Sequence, residues 1–441
     1  MARKKHAKTP EQRLREALVP REEQPYAVPD NWCWVRLGAC INKSTDKQTV
    51  CTSDDCYIGL ENMESGKGVI SYGDASALKS EKAVFHPGQV LYGRLRPYLD
   101  KHDVAEVEGV CSTDILVYDV NPCSDARYID YLMSTRRFVR HASSCAKGVN
   151  LPRVSPADVE RFPIPLPPLA EQKRIVERVE GLFVKLDKAE FELQQAIEGS
   201  VGLRDSILYD AFNTASEEDW NIVAVSQIVD SLKYGTSEKS SYEYEGMAVL
   251  RIPNIGDEGI DFADMKHLSH RDVKKDDLLH ENDILMIRSN GSRDLVGRCG
   301  IVPRLADKYT YASFLIRIRP SDDVYPAYLW RFLQSPQARE QLFNRAKSSS
   351  GIHNINSKEI GQIRMPLPPL DTQKTIVKRL GASLAREGAV VQIMRETLKC
   401  IQNIRAEVLA KALQGKLGTN NEGDSHAREE LLSMFEAIIN G

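Results

Sequence analysis

Nowhere in its 441 residues does the chain hold a run of about 18 apolar residues, and its mean hydropathy is -0.38. Both argue against a membrane-spanning helix. The basic opening MARKKHAKTPEQRLREAL has no apolar stretch and is not a secretory signal. Cysteine occurs nine times but never as CxxC. Cys51 and Cys56 lie closest together, and no His-x3-5-His follows them. The expectation is free thiols in a reducing cytosol rather than a zinc site. Signatures of catalysis are missing too. Gly66-Lys67 and Gly415-Lys416 lack the upstream glycine of a phosphate loop, and HExxH and GxSxG do not occur. The Pro-Pro pairs, Pro167-Pro168 and Pro368-Pro369, both stand in LPPL, not in the Asn/Asp-Pro-Pro-aromatic loop of an amino-methyltransferase. A nuclease cluster ending in ExK is too degenerate to exclude, but neither half keeps one. A net charge of -3 argues against a non-specific DNA coat, yet leaves room for local basic patches.

What the chain does have is a repeat. Pro165–Arg178 and Pro366–Arg379 share ten of fourteen residues at an offset of 201. Upstream, Leu151, Val154, Val159 and Phe162 align with Ile352, Ile355, Ile360 and Ile363. YIGLENM (Tyr57–Met63) answers VLRIPNI (Val249–Ile255), and VFHPGQVLYGR (Val84–Arg94) answers LLHENDILMIR (Leu278–Arg288). Each copy opens on tryptophan, at Trp32 and Trp34 and at Trp220. A repeat of this length sets the architecture.

Within each copy, DILVYDV and FLIRIRP alternate as half-buried strands do, and helically spaced segments follow them. After each proline string the pattern becomes helical. Ile175, Leu182, Ala189, Ala196 and Leu203 form one heptad column, and Val179, Leu186, Leu193, Ser200 and Ile207 the other. The second copy gives Ile376, Ser383, Val390, Thr397 and Ile404 beside Leu380, Glu387, Met394, Ile401 and Val408. About forty residues make a rod of roughly 60 Å. Proline disfavours helix before itself and donates no hydrogen bond, so each string reads as a stiff extended stop between globule and rod. Repetition at the same junction disfavours the rival reading, an SH3-type ligand. The fold class is α+β: two similar mixed globules separated by two long helices that pair as an antiparallel coiled coil with pseudo-twofold symmetry. The tail is a polar loop and a short amphipathic helix with Leu431, Leu432, Phe435 and Ile438 on one face.

Basic patches occur in both copies, at 127–153 and 286–305. LYGRLRPYLDK sets Arg94, Arg96 and Lys101 beside Tyr92 and Tyr98, and Lys67 lies upstream. Its counterpart supplies Arg288, Ser289, Asn290, Ser292, Arg293 and Arg298. Arginine grips phosphate or guanine with two bonds, while Asn and Ser suit adenine edges and phosphates. A further loop in each copy carries Lys147 and Asn150, or Lys347, Ser349, His353 and Asn354. These loops differ while the apolar frames match, as two readers on one scaffold would. Asn62 with Asn254 could read bases, but the turn-forming role is favoured; His86 and His280 read as turn residues before a strand.

The tandem PLPPL..QK.IV.R junctions, the helix after each, YGRLRPYLDK and the terminal LAKALQGKL resemble the specificity subunit of Type I restriction-modification systems. One departure is Thr372, where the first junction has Glu171. The resemblance implies an N-terminal helical segment (1–30), target recognition domains at 31–162 and 220–363, junction and spacer helices at 163–219 and 364–418, and a tail at 419–441. It implies a cytoplasmic, non-catalytic chain that reads a bipartite double-stranded DNA target. Its partners would be modification subunits, a pair of them, carrying S-adenosylmethionine for adenine methylation, and motor-nuclease restriction subunits using ATP and Mg²⁺; this chain would bind no cofactor or metal. Gln172, Ile175, Val179, Gln373, Ile376 and Leu380 are the expected subunit-docking residues. The alternatives are a coiled-coil protein scaffold and a self-contained nuclease.

Overall fold

A computed structural model describes residues 8–49, 52, 55–76, 80–213, 220–256, 258–271, 273–304, 309–343, 347–349 and 352–440, with backbone alone at 347–349, 352, 353 and 440. The chain divides into unit 1, residues 1–191 with 398–441, and unit 2, residues 192–397.

In unit 1 the opening strand Cys33–Arg36 pairs antiparallel with Pro163–Leu166, Trp34 opposite Pro165. In unit 2 Asn221–Ala224 pairs in the same way with Arg364–Leu367, Ile222 opposite Pro366. The proline strings are therefore extended, as expected, but they are strands rather than free stops. Each two-stranded ribbon is all edge, where a residue without an N–H is tolerated. Tyr128 Oη donates to the Pro165 carbonyl at 2.8 Å, and Tyr328 Oη to that of Pro366 at 3.0 Å.

Each unit repeats one frame. In unit 1 a four-stranded sheet runs His102–Val104, Val90–Gly93, Ile115–Val120, Ile41–Lys43. A second sheet pairs Gly109–Cys111 parallel to Cys56–Ile58. Unit 2 has Val229–Tyr234, Leu315–Pro320, Ile284–Ile287 and Cys299–Ile301 in one sheet, and Ala248–Leu250 parallel to Tyr309–Tyr311 in another. The aligned apolar positions are core: Val154, Val159 and Phe162 are buried in unit 1, and Ile355, Ile360 and Ile363 in unit 2. Leu151 is half exposed, and the side chain of its counterpart Ile352 lies outside the described residues. Asn62 accepts from the Gly59 amide, and Asn254 from that of Arg251, so both form turns. The turns at His86 and His280 are closed by the Gln89 and Asp283 side chains, which accept from the histidine backbone amides.

The long helices are Leu169–Asn213 and Leu370–Ala412. They pack antiparallel in each unit. In unit 1 Arg405 lies over the Phe183 ring at 5.1 Å and pairs with Asp187 and Glu190. In unit 2 Arg204 pairs with Glu387 at 3.5 Å. These arginines are 201 positions apart, so the repeat places one cation in the seam of each unit. One expected seam column holds: Val179, Leu186, Leu193, Ser200 and Ile207 face inward, as do Leu380, Glu387, Met394, Ile401 and Val408. The other holds at Ile175, Leu182, Ala189, Ile376 and Ser383 and then slips by one residue. Ala196, Leu203, Val390, Thr397 and Ile404 are exposed, and Ile197, Arg204, Val391, Leu398 and Arg405 take their place. A helix of 3.6 residues per turn drifts about 20° per heptad against a strict 3.5 repeat, which over several heptads carries the inward position on to the next residue.

The helix Pro10–Ala17, closed by a capping box of Thr9 and Gln12, packs on the helix Ala427–Asn440 within unit 1. Leu431 and Phe435 of that last helix are buried, Leu432 is partly covered and Ile438 is half exposed. Among the described residues no helix is long and apolar enough to cross a membrane.

Candidate nucleic-acid interface

In unit 1 two loops are stitched together at the end of Val90–Gly93. The Arg94 amide donates to the Asp114 carbonyl, the Arg96 amide to Pro152, and the Val154 amide back to Arg94. Lys147 and Arg153 exchange two backbone hydrogen bonds at 2.9 Å, closing the tip 148–152. The Asp114 carboxylate grips Arg153 with two bonds of 2.6 and 3.0 Å. Asp114 thereby fixes both loops, one through its backbone and one through its side chain.

The turn between Arg96 and Asp100 is strained. Both residues have left-handed backbones, at φ 52° and 49°, a conformation costing a non-glycine residue on the order of 1 kcal/mol or more. A buried cation offsets this cost. His102 Nδ1 lies 2.6 Å from Asp130, and Nε2 lies 3.2 Å from Asp100, an ionic contact rather than an aligned hydrogen bond. Burial alone would depress the imidazole, but the Asp130 and Asp100 carboxylates overcome it and hold its pKa up at about 10. The protonated ring ties the turn to the helix Ala126–Met133.

This arrangement brings Arg96, Tyr98, Lys147 and Asn150 to one exposed surface, with Arg96 Nη2 at 3.5 Å from the Asn150 carbonyl. Among the described residues, neither Arg96 nor Lys147 makes an ion pair. Arg94 is half-buried, and its Nε finds no hydrogen-bond partner among the described residues. Lys101 donates to the Leu60 carbonyl at 2.6 Å, and Lys67 pairs with Glu64 at 2.7 Å. Tyr92 is a correction. It is 2% exposed and packs edge-on to Phe138, so it belongs to the core and offers a ligand no surface. Its strand, Val90–Gly93, is covered on both faces: Val90 and Tyr92 enter one apolar core and Leu91 another.

Unit 2 builds the same frame with other side chains. The Arg288 amide donates to Phe314 and its carbonyl accepts from Ile355, as Arg94 does with Asp114 and Val154. The Arg288 guanidinium stacks on Tyr234 at 4.6 Å and donates to Asn354 Oδ1 at 3.1 Å. Asn290 accepts from the Ser292 amide and so shapes its own turn, and Arg293 lies over Phe343 at 4.9 Å. The strands Lys347–Ser349 and Ile352–Asn354 join Ser289–Asn290 in a small sheet, bringing these backbones beside Arg288. The side chains of Lys347, Ser349 and His353 lie outside the described residues. Arg298 is not brought to this cluster; it lines a cavity of about 350 Å³ with Arg204 and Leu208 of the first long helix.

The expected docking residues are internal. Gln172 is fully buried; it accepts from the Asp125 amide at 2.8 Å and donates to the Cys123 and Pro167 carbonyls at 3.0 and 2.9 Å. Gln373 repeats this in unit 2, with the Tyr325 amide at 2.7 Å and the Pro368 carbonyl at 2.8 Å. Ile175 and Val179 lie in the core of unit 1, while Leu380 lies in that of unit 2 with Ile376 packed against it. The junction motif is therefore a helix-to-globule weld, not a docking face. Glu171 extends the weld in unit 1, bonded to Arg174 at 2.6 Å and to Thr419 Oγ1 at 2.7 Å; Thr372 supplies no carboxylate for this. Nothing in the sequence singled out His102 and Asp114 or, within the loop already marked by Lys147 and Asn150, Val149. Gly148, whose φ is 114°, was the available signal of a sharp turn there.

The family model described as the Type I restriction modification DNA specificity domain matches residues 78–198 and again 217–385. The specificity subunit of the restriction enzyme EcoKI from Escherichia coli K12 is 29% identical over 303 residues, covering 66% of this chain and 65% of that protein. The alignment with the EcoDI specificity subunit of Escherichia coli, at 31% identity, covers 45% and 46% of the two chains. The chain thus spans less than two thirds of these relatives. The MjaVIII specificity subunit of Methanocaldococcus jannaschii is 21% identical and aligns over 91% of this chain and 96% of its own. Among solved structures, a chain from a study of assembly and conformational transition in a type I R-M system superposes with a TM-score of 0.74, at 22% identity, over 89% of this chain and all of that one. The HsdS subunit of Thermoanaerobacter tengcongensis gives 0.59 at 22% identity, over 90% and 100%. These two likenesses show the fold.

Proposed function

Because the chain belongs to the Type I restriction modification DNA specificity family, we propose that it is a specificity subunit whose two globules each read one half of a bipartite double-stranded DNA target. One observation carries this reading. The hydrogen-bonded frame around Arg94 and Val154 recurs around Arg288 and Ile355 while the side chains it displays differ. A common frame fixes how each globule sits on the phosphates, and the variable side chains choose the bases. Arg96, Tyr98, Lys147 and Asn150 form one reading surface; Arg288, Asn290, Ser292, Arg293 and Asn354, with Lys347, Ser349 and His353, form the other. Two readers on one chain gain affinity through effective concentration only at a matching separation, so the long helices set the gap between the halves.

The chain performs no chemistry itself. It directs adenine methylation by modification subunits that carry S-adenosylmethionine, and restriction by motor-nuclease subunits that use ATP and Mg²⁺, in the cytoplasm. With the six junction residues internal, the exposed apolar side chains Val184, Phe191, Val201, Leu203, Val390 and Ile393 of the long helices are the docking positions for those subunits. Methylome sequencing with and without the gene tests the proposal. The expected result is one interrupted adenine-methylated motif that disappears with the gene. An unchanged methylome, with Mg²⁺-dependent cleavage by the purified chain alone, refutes it in favour of a self-contained nuclease.

A further inference from the structure

The tip 148–152 holds a residue that the fold does not use. Val149 is 99% exposed, and Leu151 beside it is half exposed. An apolar side chain held wholly in water contributes nothing to the core, and single exposed ones are ordinary. This one is unusual in how firmly it is presented. Gly148 takes a left-handed φ of 114°, and a Cβ there would come within 3.0 Å of the Leu151 carbonyl. The stem is closed by Lys147 and Arg153, the Arg153 fork on Asp114 braces it, and the Arg96 amide bonds to Pro152 at its base. The ordering cost of the tip is met in the free protein, which is what a preformed contact requires.

The surroundings identify the ligand. Arg96, Lys147 and the exposed Tyr98 flank the tip, and a surface of free cations belongs against phosphate. In duplex DNA the apolar group on a base edge is the thymine C5-methyl, in the major groove. A wedge between base steps needs a longer or bulkier side chain, and valine, branched at Cβ, ends too near its backbone. Resting on the DNA-reading function above, we propose that Val149 is a specificity-determining residue that packs against the C5-methyl of one thymine in the half-site read by unit 1.

Replacing thymine by uracil removes that methyl and leaves the base pair intact. Duplexes carrying the mapped target, with uracil substituted one position at a time, are titrated with the purified full-length chain and with its Val149→Ser variant. For the wild type, one substitution in one half-site should raise Kd about five- to tenfold, near the loss expected from one small apolar contact. Val149→Ser should show that loss on the thymine duplex, no further loss on the uracil duplex, and an unchanged salt slope and melting temperature. The inference is overturned if the variant matches the wild type on thymine, if both lose equally on uracil, or if that half-site specifies no thymine. A wild-type chain that fails to prefer the mapped duplex over a scrambled one overturns the DNA-reading function itself, so the two failures are told apart.

Discussion

Replacing Gln172 by leucine keeps the volume of the side chain and deletes its amide. In the native protein that amide satisfies three backbone groups in a site without solvent: the Asp125 N–H and the carbonyls of Cys123 and Pro167. Each buried polar group left unpaired costs about 1–3 kcal/mol. Part of this is recovered, because the folded state no longer desolvates an amide. A net loss of about 3 kcal/mol follows. For a unit of this size that corresponds to a fall in Tm of about 6–12 °C. Hydrogen exchange localises the effect: amides of unit 1 around 123–128 and 167–175 should lose protection, while unit 2, with its own Gln373, should not change. The mirror variant Gln373→Leu should reverse the pattern. If Gln172→Leu kept native stability and protection but lost the ability to capture methyltransferase subunits, the weld would be refuted and the docking role restored.

Three further outcomes are expected. Tyr92→Phe removes a hydroxyl that finds no hydrogen-bond partner among the described residues, so stability should hold or rise by up to about 1 kcal/mol with DNA binding untouched; weakened binding at one half-site would return Tyr92 to the interface. His102 has a folded-state pKa of about 10, above its ordinary 6.5, so its stabilising contribution is complete below pH 6.5 and is lost as pH rises toward 10; unfolding free energies should fall across that window, and His102→Gln should flatten the slope. Arg204→Ala leaves the nearly buried Glu387 carboxylate without its seam partner, at a cost of about 3 kcal/mol to unit 2, and Arg204→Ala with Glu387→Ala should recover much of it in a double-mutant cycle.

Much of the frame was legible because repetition exposes it. Apolar positions that survive in both copies, such as Val154 with Ile355 and Phe162 with Ile363, are core in both units. The seam was legible by period but not by phase: one column faces inward as expected, while drift moved the other from Leu203 to Arg204, a charged residue that a hydrophobic template rejects. The proline strings announced extended backbone, yet their pairing with the tryptophan strands spans more than a hundred residues, beyond the reach of local propensity. At the candidate interface, Tyr92 and Tyr98 stand in one basic, aromatic stretch, and what separates them is that the buried strand ends at Gly93 while Tyr98 sits in the turn Pro97–Leu99 beyond it. His102 and Asp114 escaped notice because their roles depend on partners brought in by the fold, and no spacing encodes that.

Unit 1 draws its final segment from residues 398–441, beyond all of unit 2. During synthesis, therefore, every residue of unit 2 has been made before the last piece of unit 1. Unit 1 cannot be completed while the chain is growing past it. Its partial core must wait, with Ile175 and Val179 short of Ala412 and Leu413, until the returning helix arrives. Nascent chains stalled between 192 and 397 should accordingly expose unit 1 to proteases and chaperones, and closure of that unit should be among the last events of biogenesis.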